Sequence, residues 1–422
     1  MLSYPRALAA LFARQSLGIR MELGAVQAAL AALGSPQVKL PHVVVVGGTN
    51  GKGSTAALVA ATAQRAGHRV GLYTSPHLLR FVERICVQGV PVREGSLAEL
   101  YAEVAAVEKA AARPLTFFEC ATVMAVLAFV RSQVDVGVLE VGLGGRLDAT
   151  NAVPHQLAVL TPIDLDHTAI LGDTVAAIAA EKAAIIPQRG VVVSAPQSEA
   201  ASRVIAEVAR TRSARLVMPV PAERRDEALV LDCGGERVRF LASVPAYQIA
   251  NLATAAAACA ELANLGLACP PGAFAGAAAQ FAWPGRYQWL DADLLVDGAH
   301  NPAGMRALCD ALAEDPRAAR PLHAVFSALG DKDAAGMLAW LTPRAATLTL
   351  CPLRSRRSRS AQALRDLSKD AHLAAGAADA LAYARTRAAL DNGFVLVCGS
   401  LYLVGEVLAL VTGASADPPV DG

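Results

Sequence analysis

Residues 43–55, VVVVGGTNGKGST, run four valines straight into a glycine-rich turn that carries one lysine and ends in two hydroxyl residues. Four β-branched residues bounded by glycine read as a buried strand, and the following ALVAATAQRAG has helical composition and closes on Gly67. The order is strand, loop, helix. Gly47, Gly48, Gly51 and Gly53 let backbone N–H groups approach an anion with no Cβ in the way, while the new helix aims its positive end at the same spot. Such a turn suits phosphate. Its spacing departs from the strict phosphate-loop pattern, because Gly53 stands between Lys52 and the hydroxyls of Ser54 and Thr55. A plain glycine turn with an exposed lysine is the competing reading.

Further strands are expected at HRVGLYTS, VDVGVLEVG, HQLAVLTPI and GVVVSAP, with helices such as FECATVMAVLAFVRSQ and DTVAAIAAEKAAII between them. This alternation predicts an α/β fold with a doubly wound, mostly parallel sheet, whose ligands bind beyond the carboxyl ends of the strands. From about 215 to 245 the pattern changes to short, charged strand-like pieces, read as an antiparallel ribbon. Pro284 and Gly285 in FAWPGRYQWL mark a boundary, after which DLLVDGAH, LHAVFSALG, ATLTLCPL and GFVLVCGS restart the alternation. Two units follow, residues 1–286 and a smaller α/β unit at 287–422, with a cleft at the hinge.

At 422 residues the chain exceeds one ordinary core. Its 54% hydrophobic content excludes disorder, and a formal net charge of +1 argues against nucleic acid or a membrane surface as partner. No apolar run reaches the about 18 residues needed to span a bilayer, so a cytoplasmic protein is expected. The eight cysteines are scattered without a C-x-x-C pair and read as reduced core residues. The basic run RSRRSRS at 354–360 reads as a solvated loop, with a polyanion-facing loop as the other reading.

Glu140 in VLEVGLGG and His167 in IDLDHTAILGD both follow strands. A carboxylate and an imidazole beside a phosphate loop suit Mg2+, a hard ion that takes few protein ligands plus phosphate oxygens, and Ser75 in YTSPHL adds a hydroxyl. Lys182 in AAEKAAIIP, taken alone, reads as a surface lysine whose stem snorkels along apolar neighbours. Asp297, His300 and Asn301 in VDGAHNP, with Arg286 at the hinge, either complete a nucleotide site or cap a turn.

Taken in order, GTNGKGS, YTSPHLLRFVERI, TFFECAT, LEVGLGGRLDATN, DLDHTAILGDT, EKAAIIP, YQIANLATA, WPGR, VDGAHNP, FSALGDKD and CGSLYLVGEV closely resemble the bacterial folylpolyglutamate synthase and dihydrofolate synthase family, relatives of the Mur ligases. The resemblance spans nearly the whole chain. It implies a phosphate-loop ATPase domain followed by a smaller glutamate ligase domain, and ATP-dependent amide formation through an acyl phosphate that the amino group of L-glutamate attacks.

By the resemblance, Gly48, Thr49, Asn50, Gly51, Lys52, Gly53 and Ser54 hold ATP together with Asn251, Arg286 and Asp297, and Ser75, Glu140 and His167 bind Mg2+, two ions being expected. Lys52, Lys182, Asp297 and His300 are the implied catalytic residues, with Lys182 carbamylated by CO2. Ala184 stands where the family's motif has glycine. The implied folate pocket comprises Leu17, Gly18, Thr116, Phe117, Phe118, Glu119, Leu147, Asp148 and Ala149; the glutamate site comprises Arg84, His300 and Ser400.

The implied substrates are ATP, L-glutamate, 7,8-dihydropteroate and reduced folates, with a monomeric enzyme and no nucleic-acid or membrane partner. A folylpolyglutamate synthase alone is the nearest alternative. A Mur-type cell-wall ligase is disfavoured because no nucleotide-sugar domain precedes the phosphate loop. A catalytically silent nucleotide-binding protein is the alternative from another class.

Overall fold

The structure is a computed structural model that describes residues 2–108, 113–225, 228–242 and 244–419. Its first sheet contains β1 (His42–Gly47), β2 (Val70–Tyr73), β3 (Ile85–Val87), β4 (Val90–Pro91), β5 (Val136–Glu140), β6 (Leu157–Leu160), β7 (Val191–Ser194) and β8 (Arg215–Val217). The strand order is β4-β3-β2-β5-β1-β6-β7-β8. The run from β2 to β8 is parallel, and β3 and β4 extend it as an antiparallel hairpin.

The four valines of β1 explain why a parallel sheet forms. Val43 and Val45 enter one core with the Phe117–Arg131 helix, while Val44 and Val46 enter the opposite core with the Lys52–Arg65 and Ala246–Asn264 helices. A strand covered on both faces needs apolar residues at every position. Burying each valine contributes about 1.5–3 kcal/mol.

A three-stranded antiparallel ribbon, β9 (Glu223–Arg225), β10 (Ala228–Asp232) and β11 (Arg237–Leu241), packs on the second core through Leu229, Leu231 and Phe240. Part of the stretch expected as ribbon lies elsewhere. Arg215–Val217 pairs in parallel with β7 and is the edge of the main sheet, because the Glu199–Thr211 helix returns the chain in the parallel direction.

The second sheet holds β12 (Gln288–Trp289), β13 (Leu294–Val296), β14 (Leu322–Phe326), β15 (Ala345–Leu350), β16 (His372–Leu373) and β17 (Phe394–Cys398), in the order β12-β13-β17-β14-β15-β16. Only β12 runs antiparallel to its neighbour. Helices cover both faces. All eight cysteines are free. Among the described residues no helix is long and apolar enough to cross a membrane.

Candidate active site

Strand order fixes the location of the glycine turn. β1 lies between β5 and β6, so the turn at its carboxyl end is flanked by the segments leaving those two strands. The amides of Thr49 and Asn50 donate to the Pro162 carbonyl at 2.9 and 3.3 Å, tying the turn to the β6 exit. Two positions require glycine. Gly48 has φ 136°, and a Cβ there would lie 2.0 Å from Thr161 Oγ1; Gly51 has φ 89°, and a Cβ would lie 2.3 Å from Asn251 Oδ1. Asn251 donates to Gln248 Oε1 (3.0 Å), and Gln248 in turn to Ser54 Oγ (3.3 Å), so the long Ala246–Asn264 helix buttresses the turn from behind. Gly53 lies beside Trp283 and Glu140. Lys52 opens the Lys52–Arg65 helix half-buried, and its ammonium donates to the Thr49 carbonyl at 3.0 Å.

Glu140 is buried at the end of β5, where Oε2 accepts the Ser75 amide at 2.9 Å. Burial raises its pKa, opposed by the cations of Lys52, Arg286 and Arg84. His167 begins the turn after β6; burial, reinforced by the Lys332 cation, lowers its pKa to about 4, so the imidazole is neutral at pH 7. Lys332 comes from the second sheet, after β14. Only 8% exposed, its ammonium donates to Asp166 Oδ1 at 2.5 Å and contacts His167 Nε2 at 3.1 Å. That cation and the nearby histidines hold the Asp166 carboxyl well below the usual range, against the upward push of its own burial.

The structure overturns the surface reading of Lys182. It is 5% exposed, and its ammonium donates to the Gly48 carbonyl inside the glycine turn at 2.8 Å. Burial, with the Lys52 cation adding to it, lowers its pKa to about 7. Lys182 sits in the last turn of the Val175–Ala183 helix on its buried face with Ile178 and Ala179, while Ala176 and Ala180 take the solvent side.

From the second sheet, Asp297 is buried at the end of β13. Its Oδ2 accepts the Tyr287 amide and the Tyr247 hydroxyl, and its Oδ1 accepts the Ala299 amide, each at 2.8 Å. Arg286 lies alongside, donating to Gly285 O at 3.2 Å. His300 Nδ1 donates to Gly298 O at 2.9 Å, which leaves Nε2 unprotonated, 3.8 Å from Asp166. Burial lowers the His300 pKa to about 4. Asn301 caps the Pro302–Glu314 helix and exchanges paired amide hydrogen bonds with Asn50 of the glycine turn, both at 3.1 Å. It also donates to Asp166 Oδ2 at 3.1 Å. The two sheets thus meet at the turn itself.

A cavity of about 800 Å3 opens beside this meeting point. Gly18, Ser75, Arg84, Thr116, Phe117, Phe118, Glu119, Leu147, Asp148, Ala149, His167, His300 and Ser400 all line it. Leu17 does not; its wall runs through Gln15 and Gly18–Met21 instead. Several of these residues also have structural work. Thr116 and Glu119 form a capping box on the Phe117–Arg131 helix, with Glu119 paired to Arg113 at 2.7 Å. Ser400 caps the Leu401–Thr412 helix through the Tyr402 amide.

Asp148 is the sharpest case. Its carboxylate accepts from the amides of Gly142, Leu143 and Thr150 and from the Thr150 hydroxyl, at 2.6–3.0 Å. Both oxygens are committed to the loop that forms the cavity wall. Asp148→Ala is therefore expected to unpair three amides, the buried one of Thr150 at about 1–3 kcal/mol and the half-buried ones of Gly142 and Leu143 at less, and to lower the thermal midpoint. Activity on every cavity-bound substrate should fall by a similar factor, as a melting curve and parallel turnover assays would register.

Sequence reasoning did not give Asp166 or Lys332 a role. The available signal was positional: both follow sheet strands at the carboxyl ends, on the rim already predicted to gather the site. The 354–360 stretch reads from the sequence as a solvated loop, with a polyanion-facing loop as the other reading. The structure instead folds that stretch onto the segment after β14, with Ser358 bridging Leu329, Arg359 donating to Lys332 O at 2.6 Å, and Arg357 pairing with Asp331 on the cavity wall.

Residues 46–259 match the Mur ligase middle domain, and residues 285–401 match the Mur ligase glutamate ligase domain. A dihydrofolate synthase/folylpolyglutamate synthase of Escherichia coli is 35% identical over 384 residues, 88% of this chain and 87% of that one. A probable bifunctional folylpolyglutamate synthase/dihydropteroate synthase of Haloferax volcanii is 33% identical across 98% of this chain, which spans about half (51%) of that longer protein. The crystal structure of a bifunctional folylpolyglutamate synthase/dihydrofolate synthase from Yersinia pestis, complexed with AMPPNP and a Mn ion, superposes with a TM-score of 0.87 at 33% identity, covering 97% of this chain and 98% of its own. The glycine turn, the paired sheets and these matches have one reading: the chain belongs to the dihydrofolate synthase/folylpolyglutamate synthase family of Mur ligases.

Proposed function

We propose that the chain is an ATP-dependent ligase that joins L-glutamate to 7,8-dihydropteroate, forming dihydrofolate, and extends reduced folates by γ-linked glutamates. The observation that carries this reading is the junction of the glycine turn with the second sheet through Asn50 and Asn301, beside a cavity deep enough for a pterin-bearing acid. A carboxylate is a poor acyl donor because its leaving group would be oxide. Transfer of the γ-phosphoryl group to a carboxylate oxygen, with ADP leaving, supplies a better one; the amine of glutamate then attacks the carbonyl carbon and phosphate departs.

In this reading Gly48–Ser54 cradle the phosphates, Lys52 neutralises the β and γ oxygens, and Asn251, Arg286 and Asp297 surround the rest of the nucleotide. The three bonds already held by Asp297 make it a fixed acceptor rather than a mobile base. The unprotonated Nε2 of His300 is left as an acceptor at the cavity wall, placed to receive a hydrogen bond from the glutamate amino group. Arg84 and Ser400 hold the glutamate carboxylates, and Phe117, Phe118 and Ala149 give the pterin its apolar wall.

A divalent cation fits the donor set of Ser75, Glu140 and His167: hydroxyl, carboxylate and an imidazole that is neutral at pH 7. Among the described residues no group of three His, Cys, Asp or Glu side chains is arranged to hold a metal ion by itself; water and phosphate oxygens would complete the coordination. Such an ion supplies charge neutralisation on the transferring phosphoryl group. Two ions, a monomeric enzyme and a cytoplasmic location belong to the same reading.

The test is glutamate-dependent ADP formation by the purified chain with dihydropteroate and with tetrahydrofolate in parallel. Turnover with both is expected. Turnover with tetrahydrofolate alone would leave a folylpolyglutamate synthase, and none with either would sink the ligase reading.

A further inference from the structure

The Leu401–Thr412 helix and the chain that follows it run alongside the segment that carries Arg84. At the helix start, Ser400, Leu401 and Tyr402 line the cavity together with Arg84. In its middle, Gly405 lies so close to this segment that a Cβ would sit 2.3 Å from the Leu78 carbonyl oxygen. Leu78 and Leu79 are packed against the same core cluster as Val404, Val407 and Leu408. Beyond the helix, Asp417 closes the contact. Its Oδ2 accepts the Phe81 amide at 2.7 Å and the Tyr4 hydroxyl at 2.6 Å, and its own amide donates to the Leu79 carbonyl at 2.8 Å. Arg84, three residues beyond Phe81, is 3% exposed and donates from Nε to His77 Nδ1 at 2.9 Å. Residues 78–81 of this segment are therefore held by the helix or its tail, three residues before Arg84, whose own guanidinium is bonded back to His77.

We propose that this helix and the tail to Asp417 act as a positioning strap for Arg84, fixing the guanidinium at the cavity wall and so setting the affinity for the incoming amino acid. The inference rests on the reading of Arg84 as a glutamate-carboxylate ligand. A bidentate guanidinium–carboxylate contact depends on orientation, so slack in the backbone that carries it weakens binding before it weakens phosphoryl transfer. Asp417 touches no substrate and acts through Phe81 and Leu79.

The experiment measures KM for glutamate and for ATP, at saturating tetrahydrofolate, in wild type, Asp417→Ala, Asp417→Asn, Gly405→Ala and Arg84→Ala. Asp417→Ala and Gly405→Ala are expected to raise the glutamate KM about tenfold while the ATP KM moves less than about twofold. Asp417→Asn should recover most of the loss, because an amide oxygen accepts the same two bonds. Hydrogen exchange across residues 78–84 should quicken in Asp417→Ala. If Asp417→Ala fails to fold, Gly405→Ala decides, since it removes none of the atoms of Asp417 and pushes on the segment at Leu78 instead. An unchanged glutamate KM in both strap variants, with a raised KM in Arg84→Ala, overturns the strap. So does a parallel rise in both KM values, which marks a merely structural role. An unchanged glutamate KM in Arg84→Ala removes the reading of Arg84 and the proposal with it.

Discussion

Lys52→Ala is expected to abolish glutamate-dependent ADP release while the protein stays folded. The lysine stands at the first position of its helix, half-buried, and its ammonium bonds only to the turn's own Thr49 carbonyl. Little core packing is lost with it. What disappears is a cation of the glycine turn, which on the proposed reading faces the phosphates where charge accumulates during phosphoryl transfer. A preorganised donor of this kind is worth roughly 3–4 kcal/mol, or about 10²–10³ in rate. The check is a pair of measurements: ADP release at saturating substrates and a thermal melt. Near-normal ADP release would show that the turn does not handle the γ-phosphate.

Lys182→Ala should be nearly as damaging, for a different reason. We propose that Lys182 functions as its carbamate. The neutral amine attacks CO2, an N–C bond forms, and one proton is released, so the cation bonded to Gly48 O becomes an anion in its place. The step needs an unprotonated amine, and burial supplies one: with the pKa lowered to about 7, the neutral fraction grows as pH rises through that value and shrinks below it. Activity should therefore climb with pH across neutrality in CO2-saturated buffer and fall when CO2 is removed. In Lys182→Ala, formate or acetate should restore part of the turnover by occupying the place of the carbamate anion. Intact-mass measurement under CO2 that finds no adduct on wild type, together with no rescue, would overturn the carbamate.

Sequence and structure agree most closely where one physical requirement dictates the residues. The valines of β1 had to be buried on both faces and the glycines at 48 and 51 had to turn left-handed, so strand, turn and helix were legible from residues 43–65 alone. Lys182 was misread on local composition because an alanine-rich helix looks alike on either side; only the fold says which side meets the glycine turn. Strand ends place Lys332 and Asp166 on the rim, but their pairing is out of reach of sequence for a related reason. They are separated by more than 160 residues yet share a hydrogen bond, and no spacing rule connects two sheets across a cleft. The edge strand at Arg215 reads as ribbon because three residues, Arg-Leu-Val, are too few to reveal the direction of their partner.

The outer strands of both sheets carry a consequence for the molecule in a crowded solution. The first sheet ends in β4, two residues that include Pro91, and in β8, three residues opened by Arg215 in an ion pair with Glu261. The second ends in β12 and β16, of two residues each. A long bare edge is a template on which another polypeptide adds itself strand by strand; a proline or a paired arginine on a stub leaves almost no backbone to recruit. The most adhesive strands, β1 and β14, are enclosed at the centre of their sheets. A chain that is 54% hydrophobic therefore keeps its amyloid-like potential out of reach for as long as those short margins stay in place, and losing them, rather than loosening the core, is the step that would open a route to insoluble assembly.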